Sequence, residues 1–271
     1  MNLSIIIPTW NTAEVTKKCI QTIQKHLKDF SYEIIIIDNG STDNTVEVLS
    51  KIKDLKLIKN KENLGFAKAN NQAVKIADGE VLFFLNSDME LIDNSLTKMY
   101  EYFKNNSDIG AIGPQFLNID LTPQSSVFPK QNISNAFKEF WLNQKDKYLK
   151  YLPNLSKPSS VWSISGGALM IKKDFFKKIG GWNEKYFFYF EDLDLCRAIH
   201  QAKKNIVYYP ECKVVHRHGF SGTKLANSAN QWRRLIPSSI KYHGKIKHYL
   251  INLTIWSGQK KSKLLKLFHQ N

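Results

Sequence analysis

The sequence predicts an α/β fold, a mostly parallel sheet covered on both faces by helices, with a basic helical extension behind it. Two observations carry that reading. Short apolar runs alternate with helical periodicity through the first half, a βαβαβαβ rhythm that requires parallel strands joined by crossover helices. Charge is also segregated. The chain has 39 Lys and Arg against 24 Asp and Glu, a net +15, and after Glu211 twelve Lys and Arg are opposed by no acid.

The elements follow in order. Leu3–Ile7 reads as a buried strand, and Ala13–Leu27 as a helix with Cys19, Ile20, Ile23 and Leu27 on one face. Glu33–Ile37 is uniformly apolar and β-branched after its first residue, which suits a strand buried on both faces. Asp38-Asn39-Gly40-Ser41 forms a turn, and Val46, Val48, Leu49 and Ile52 mark the next helix. Leu55–Ile58 is a third strand, Phe66–Ala77 a helix and Val81–Leu85 a fourth strand. Past Ile109–Ile112 the rhythm breaks, and residues 115–160 read as an insertion or lid. Strand signal returns at Val161–Ile164, Ala168–Ile171, Ile206–Tyr209 and Lys213–Val215, with a helix from near Glu191. The expected organisation is a catalytic domain over residues 1–222 and a basic amphipathic extension over 223–271.

Composition narrows the class. A chain of 271 residues with 42% hydrophobic content can bury a core without staples. Cys19, Cys196 and Cys212 are odd in number and widely spaced, which points to a reducing compartment. The apolar run Leu3–Ile7 ends at Pro8, too short for a signal segment, and no window reaches the roughly 18 apolar residues of a spanning helix. The expectation is a cytoplasmic protein. The basic tail calls for an anionic partner or is simply a solvated face.

In an open α/β sheet the functional groups gather at the carboxyl ends of the strands. Asp38, at the end of the second strand, can accept the imide N–H of a pyrimidine base, while Ser41 or Asp43 serves equally as a helix cap. Gly65 opens a helix where backbone can approach an anion, and Asn63 fits a plain cap there. Asn86-Ser87-Asp88 ends the fourth strand; its first and last residues share one side of an extended chain and suit a hard divalent cation, or an ordinary loop. Phe187-Phe-Tyr-Phe runs into Glu191, Asp192 and Asp194. Aromatic walls desolvate a carboxylate and raise its pKa toward general-base duty, whereas acids at a helix start are also favoured by the dipole. His216 and His218 share one side of a strand end, where either reaches a metal or a phosphate or stays inert at the surface.

Taken in order, IIIPTWN, IIIIDNGSTD, NLGFAKANN, FFLNSD, WSISGGALMI, FYFEDLDLC and VVHRHG resemble glycosyltransferase family 2, with the GT-A fold, and particularly its bacterial rhamnosyltransferase-like members. The resemblance spans about Leu3 to Gly222. It implies an inverting single displacement on a nucleotide diphosphate sugar, assisted by Mg²⁺ or Mn²⁺. By that resemblance Thr9 and Asp38 hold the base, and Gly65, Asn70 and Ser87 line the nucleotide. Asp88 matches the last Asp of the family's DxD metal motif, and Asn86 departs from its first, leaving the site one charge short. His216 completes the metal or diphosphate site. Gly166, Gly167 and Ala168 lie beside sugar and acceptor, with Trp162 stacking on a sugar. Asp192 matches the base, preceded by Glu191, and Arg233 and Arg234 match loosely as diphosphate ligands. The implied donor is dTDP-rhamnose, or next a UDP-sugar, and the acceptor a glycan or lipid-linked glycan of surface polysaccharide synthesis.

Rival classes lack their signatures. A sugar nucleotidyltransferase wants a Gly-rich, basic loop where Pro8-Thr-Trp-Asn11 stands, and a dinucleotide dehydrogenase wants GxGxxG there. A nucleic-acid-binding protein rests on the basic tail alone, without a recognisable motif, so no nucleic acid is expected. Between Lys241 and Asn271 seven lysines are interleaved with Trp256, Phe268 and aliphatic residues. That composition suits an interfacial helix, and the sequence predicts docking on an anionic membrane at the inner face of the cell, against the alternative of a helix packed on the core.

Overall fold

The structure is a computed structural model that describes residues 1–217 and 231–268, with side chains described through residue 263 except at 231–234. The strands are β1 (Leu3–Thr9), β2 (Tyr32–Asp38), β3 (Leu55–Lys59), β4 (Val81–Leu85), β5 (Met89–Leu91), β6 (Ile109–Leu117), β7 (Pro123–Gln124), β8 (Val127–Phe128), β9 (Ser159–Ser160), β10 (Ser163–Ile164), β11 (Ala168–Lys172) and β12 (Asn205–His216). Between them lie α1 (Ala13–His26), α2 (Thr45–Ser50), α3 (Phe66–Ile76), α4 (Ser95–Asn105), α5 (Ile133–Phe140), α6 (Lys173–Lys178) and α7 (Glu191–Gln201). Two helices follow, α8 (Gln231–His243) and α9 (Lys245–Phe268).

The main sheet runs β3-β2-β1-β4-β11-β6-β12-β5, with β7 and β9 paired at its side. β1, β2, β3 and β4 are mutually parallel, as are β6 and β12, while β11 lies antiparallel between β4 and β6. Alternation places Ile5, Ile7, Ile34 and Ile36 in one core and Ile6, Ile35 and Ile37 in the other, all at 2% exposure or less. Each such side chain contributes about 2 kcal/mol of transfer free energy, which is why the central strands are apolar on both faces. Phe84 meets Phe176 and Trp182 at centroid distances of 5.2 and 5.0 Å, closing the second core under the carboxyl ends of β1 and β4.

The structure changes several expectations. Ile206–Tyr209 and Lys213–Val215 belong to one strand, β12, which shifts register between Tyr209 and Lys213. Val161–Ile164 is split, because β9 pairs with β12 whereas β10 joins β8 in a separate two-stranded sheet. The short elements β5 and α4 were illegible as periodic patterns, since α4 packs through spaced Leu96, Met99, Tyr100 and Phe103 among polar residues. The insertion carries its own helix, α5, and α9 packs against it. Gly258 makes that contact possible: a Cβ there would lie 2.6 Å from the Phe140 carbonyl oxygen. Trp141 Nε1 donates to Ser257 Oγ at 3.1 Å, and Lys261 Nζ donates to the Trp141 carbonyl at 3.2 Å. α9 is therefore a packed element over this length. No helix among the described residues is long and apolar enough to cross a membrane.

Candidate active site

The carboxyl ends of β1, β2 and β4 meet at a narrow cleft of about 80 Å³ lined by Thr9, Trp10, Asn39, Gly65, Asn86, Ser87 and Phe187. Its walls are set by local chemistry. Thr9 Oγ1 shares 2.8 Å contacts with the hydroxyls of Thr12 and Thr16, so the buried β1 end is tied to α1. Gly65 adopts φ +84°, and a Cβ on it would sit 2.5 Å from the Phe187 carbonyl oxygen. Only glycine allows this approach. Phe66 N–H then donates to that carbonyl at 3.1 Å, drawing the aromatic loop across the cleft.

Asp38 is 1% exposed, and its Oδ2 accepts the Ser41 N–H at 3.1 Å. Its Oδ1 is buried with no hydrogen-bond partner, and Asp38 lies behind Asn39 and does not itself line the cleft. Asn70 is fully buried, with Nδ2 donating to the Phe66 carbonyl at 2.9 Å and Oδ1 unpartnered; it braces the first turn of α3 and does not line the cleft.

Asn86 also borders a larger cavity of about 800 Å³, whose wall includes Asp88, Gly166, Gly167, Glu191, Asp192 and His216. Asp88 is 2% exposed, and burial pushes its carboxyl up to about 6. Its Oδ1 has no hydrogen-bond partner and stands 3.6 Å from His216 Nε2. His216 Nδ1 contacts Gln124 Oε1 at 2.7 Å; that oxygen only accepts, so Nδ1 donates and Nε2 is the ring nitrogen turned toward Asp88. This arrangement fits a cation, with the Asn86 amide as a further oxygen donor. Among the described residues no three His, Cys, Asp or Glu converge, so the protein offers few anionic ligands and leaves positions for substrate oxygens.

The two acids are delivered by an unusual backbone. Tyr189 and Phe190 both have φ +69°, a conformation that costs side-chain-bearing residues of order 1 kcal/mol each, and it turns the chain so that α7 starts at Glu191. Glu191 is 7% exposed with a buried, unpartnered Oε2; burial, then the adjacent Asp192 charge, hold its carboxyl well above the carboxylate range. Asp192 is raised by burial too, offset by the Lys150 charge and by N–H donors from Leu193 at 2.8 Å and Gly166 at 3.4 Å. Asp194 is structural: Arg197 pairs with it and Asn183 Nδ2 donates to it at 2.9 Å.

Two sequence candidates stand apart from this cavity. Trp162 stacks on His200 at 4.1 Å with Lys130 over its ring at 4.8 Å, so it is occupied by neighbours and absent from the cavity wall. Ala168 is 1% exposed, paired with Leu85 across β11 and β4, and packs in the core. The side chains of Arg233 and Arg234, like all of His218, lie outside the described residues.

Sequence reasoning missed the far wall, formed by Gln131, Tyr148 and Lys150 from the insertion and Ser239, His248 and Asn252 from α8 and α9. Ser238 Oγ donates to the Phe188 carbonyl at 2.9 Å, and Arg197 stacks 4.3 Å over Tyr242, which meets Phe190 at 5.4 Å. These contacts clamp α8 onto the aromatic loop. No local pattern announces such a wall; the Lys- and aromatic-rich composition of 128–150 was its one trace.

A mostly parallel sheet with a narrow cleft at the strand ends, next to a cavity holding Asp88 and a buried acid pair, defines an α/β protein of the GT-A class. The chain matches glycosyl transferase family 2 over residues 4–180, and it belongs to that family. Residues 147–218 also match the N-terminal domain of galactosyltransferase. It is 36% identical over 142 residues to the poly(ribitol-phosphate) β-N-acetylglucosaminyltransferase TarP of Staphylococcus aureus, covering 49% of this chain and 43% of that protein. It is 25% identical over 212 residues to the N-acetylglucosaminyl-diphospho-decaprenol L-rhamnosyltransferase of Mycobacterium tuberculosis, covering 69% and 67%. The fold superposes on the crystal structure of GalNAc-T7 with UDP, GalNAc and Mn²⁺ with a TM-score of 0.68 at 17% identity, over 82% of this chain and 45% of that one. The chain spans 17% to 43% of the length of three curated relatives that it matches.

Proposed function

We propose that this protein is an inverting glycosyltransferase that moves a sugar from a nucleoside diphosphate donor to a hydroxyl of a glycan or lipid-linked acceptor. One observation carries the reading: Asp88 and Asp192 line the same cavity, and Asn86 joins that cavity to the cleft lined by Thr9 and Asn39. The donor then lies with its base at the cleft and its sugar in the cavity, against the acid pair.

In this reading Asp38 Oδ1 accepts the imide N–H of uracil or thymine, which favours a UDP- or dTDP-sugar, with dTDP-rhamnose the leading candidate by resemblance. Asp88, His216 and Asn86 would hold Mg²⁺ or Mn²⁺, which supplies charge to offset the leaving diphosphate; a relative in fold carries Mn²⁺ with UDP. Gly166 and Gly167 leave room for the sugar. Asp192 takes the proton from the acceptor hydroxyl as that oxygen attacks the anomeric carbon from the face opposite the leaving group. Burial, then the Asp192 charge, raise the Glu191 carboxyl, which disfavours a second negative charge in the site.

The catalytic unit is residues 1–222, and the extension from 223 on carries the acceptor wall and a membrane contact. On α9, Ile246, Tyr249, Leu250, Leu253 and Trp256 are 45% to 77% exposed and recur at helical spacing, opposite the buried His248, Ile251 and Gly258. Lys245, Lys247, Lys260, Lys261 and Lys263 are exposed on the same helix. An apolar stripe framed by lysines and no acids fits an anionic lipid surface. The activity test is a panel of nucleotide sugars in a donor-hydrolysis assay, with calorimetry of dTDP, UDP and GDP. Turnover of one pyrimidine-linked sugar is expected; tighter binding of GDP than of both others would overturn the base assignment.

A further inference from the structure

We propose that Lys150 is the anion-binding residue of the acceptor side of the cavity, and that it receives a phosphate ester carried by a lipid-linked acceptor. The inference deepens the transferase reading and rests on it for the word acceptor. Lys150 Nζ lies 4.8 Å from the Phe128 ring centroid and lines the cavity between Tyr148 and the acid pair. No carboxylate among the described residues forms an ion pair with it. Asp192 is the charge it feels, yet both Asp192 oxygens accept backbone N–H groups, and the base cannot also serve as a fixed counter-ion. Lys150 is exposed, so an anion entering the cavity reaches its ammonium group directly.

The donor diphosphate would enter the same cavity at Asp88, Asn86 and His216, so the two anions are told apart by the wall that holds them. Asn86 and Ser87 border the nucleotide cleft, whereas Lys150 belongs to the wall made by the insertion, α8 and α9. A second observation, independent of the cation, points to hydrocarbon. Tyr249 lines the cavity and is 56% exposed, and it is also a member of the stripe that continues through Leu253 and Trp256. The cavity mouth therefore opens onto an apolar track. A ligand that satisfies both features has a phosphate for Lys150 and a chain that leaves past Tyr249.

The test is calorimetric binding in EDTA, which removes any metal-held phosphate. The probes are octyl phosphate below its micelle concentration, octyl glucoside and glycerol 3-phosphate. Wild type is expected to bind octyl phosphate about tenfold or more tightly than octyl glucoside, a difference of about 1.4 kcal/mol. Lys150→Met should erase the preference and Lys150→Arg should keep most of it, both melting as wild type does. Tyr249→Ala should weaken both octyl ligands and leave glycerol 3-phosphate unchanged. A Lys150→Met protein that retains the preference overturns the assignment. Glycerol 3-phosphate binding as tightly as octyl phosphate, in a Lys150-dependent way, overturns the lipid source in favour of a soluble polyol phosphate. Competitive displacement of octyl phosphate by UDP overturns the acceptor side in favour of the donor. None of these readouts needs turnover, so a Lys150-dependent preference in a protein that consumes no nucleotide sugar would sink the transferase reading and leave the phosphate site standing.

Discussion

Nε2 of His216 lies 3.6 Å from Oδ1 of Asp88, while Nδ1 of the same ring donates to Gln124 Oε1 at 2.7 Å. The two side chains meet because β12 pairs with β5, which sets His216 opposite Met89, the residue after Asp88. Turnover should require Mg²⁺ or Mn²⁺ and disappear in Asp88→Ala, with Gln124→Ala weakening metal affinity about tenfold or more by releasing the imidazole. Full turnover in excess EDTA, measured by nucleoside diphosphate release, would remove the cation from this position.

Asp192→Asn should keep the fold and donor affinity and lower turnover by about two orders of magnitude or more. The amide retains the N–H contacts from Leu193 only through its oxygen and can take no proton. Near-wild-type turnover in the variant would shift the base to Glu191.

The acid limb of kcat/KM should lie above the ordinary carboxylate range, because burial raises Asp192 and the base works only when ionised. Activity is then full above that pKa and lost as pH falls through it. A limb near pH 4 would contradict a desolvated base.

Stability carries a separate signature of the pair. Glu191 is held above its ordinary value in the fold, so the folded state binds its proton more tightly than the unfolded chain does. The stabilisation is complete below the unfolded pKa and declines as pH rises through the folded one. Glu191→Gln escapes that loss, and its melting temperature should exceed wild type by an increasing margin as pH is raised from about 5 to 9. Parallel melting curves across that range would place Glu191 in water.

The membrane contact is best probed on the exposed stripe, since Ser257 and Gly258 hold α9 to α5 and truncation there would damage the fold. Leu253→Glu with Trp256→Glu should abolish sedimentation with phosphatidylglycerol vesicles and leave thermal stability within a few degrees, because both residues are 58% exposed. Wild-type binding should weaken with salt. Unchanged sedimentation of the double variant would make the stripe irrelevant to lipid.

The strand-helix rhythm, the parallel sheet and the positions of Asp38, Gly65, Asp88 and Asp192 were legible in the sequence, because each is written locally. Uniform β-branched runs such as Ile34–Ile37 can only be strands buried on both faces, and a polar residue that ends such a run must emerge at the carboxyl edge. Tertiary structure alone decided what those residues meet. Trp162 is aromatic and close in sequence to Gly166, yet its ring is taken by His200 and Lys130, whereas Lys150 looked like one more lysine of a solvated insertion. The two uses of α9 are equally unreadable from composition, since an apolar residue facing Phe140 and one facing water obey the same periodicity. Sequence sets which side chains share a face; which face is buried depends on the shape of the partner, and that partner, α5, lies over a hundred residues away.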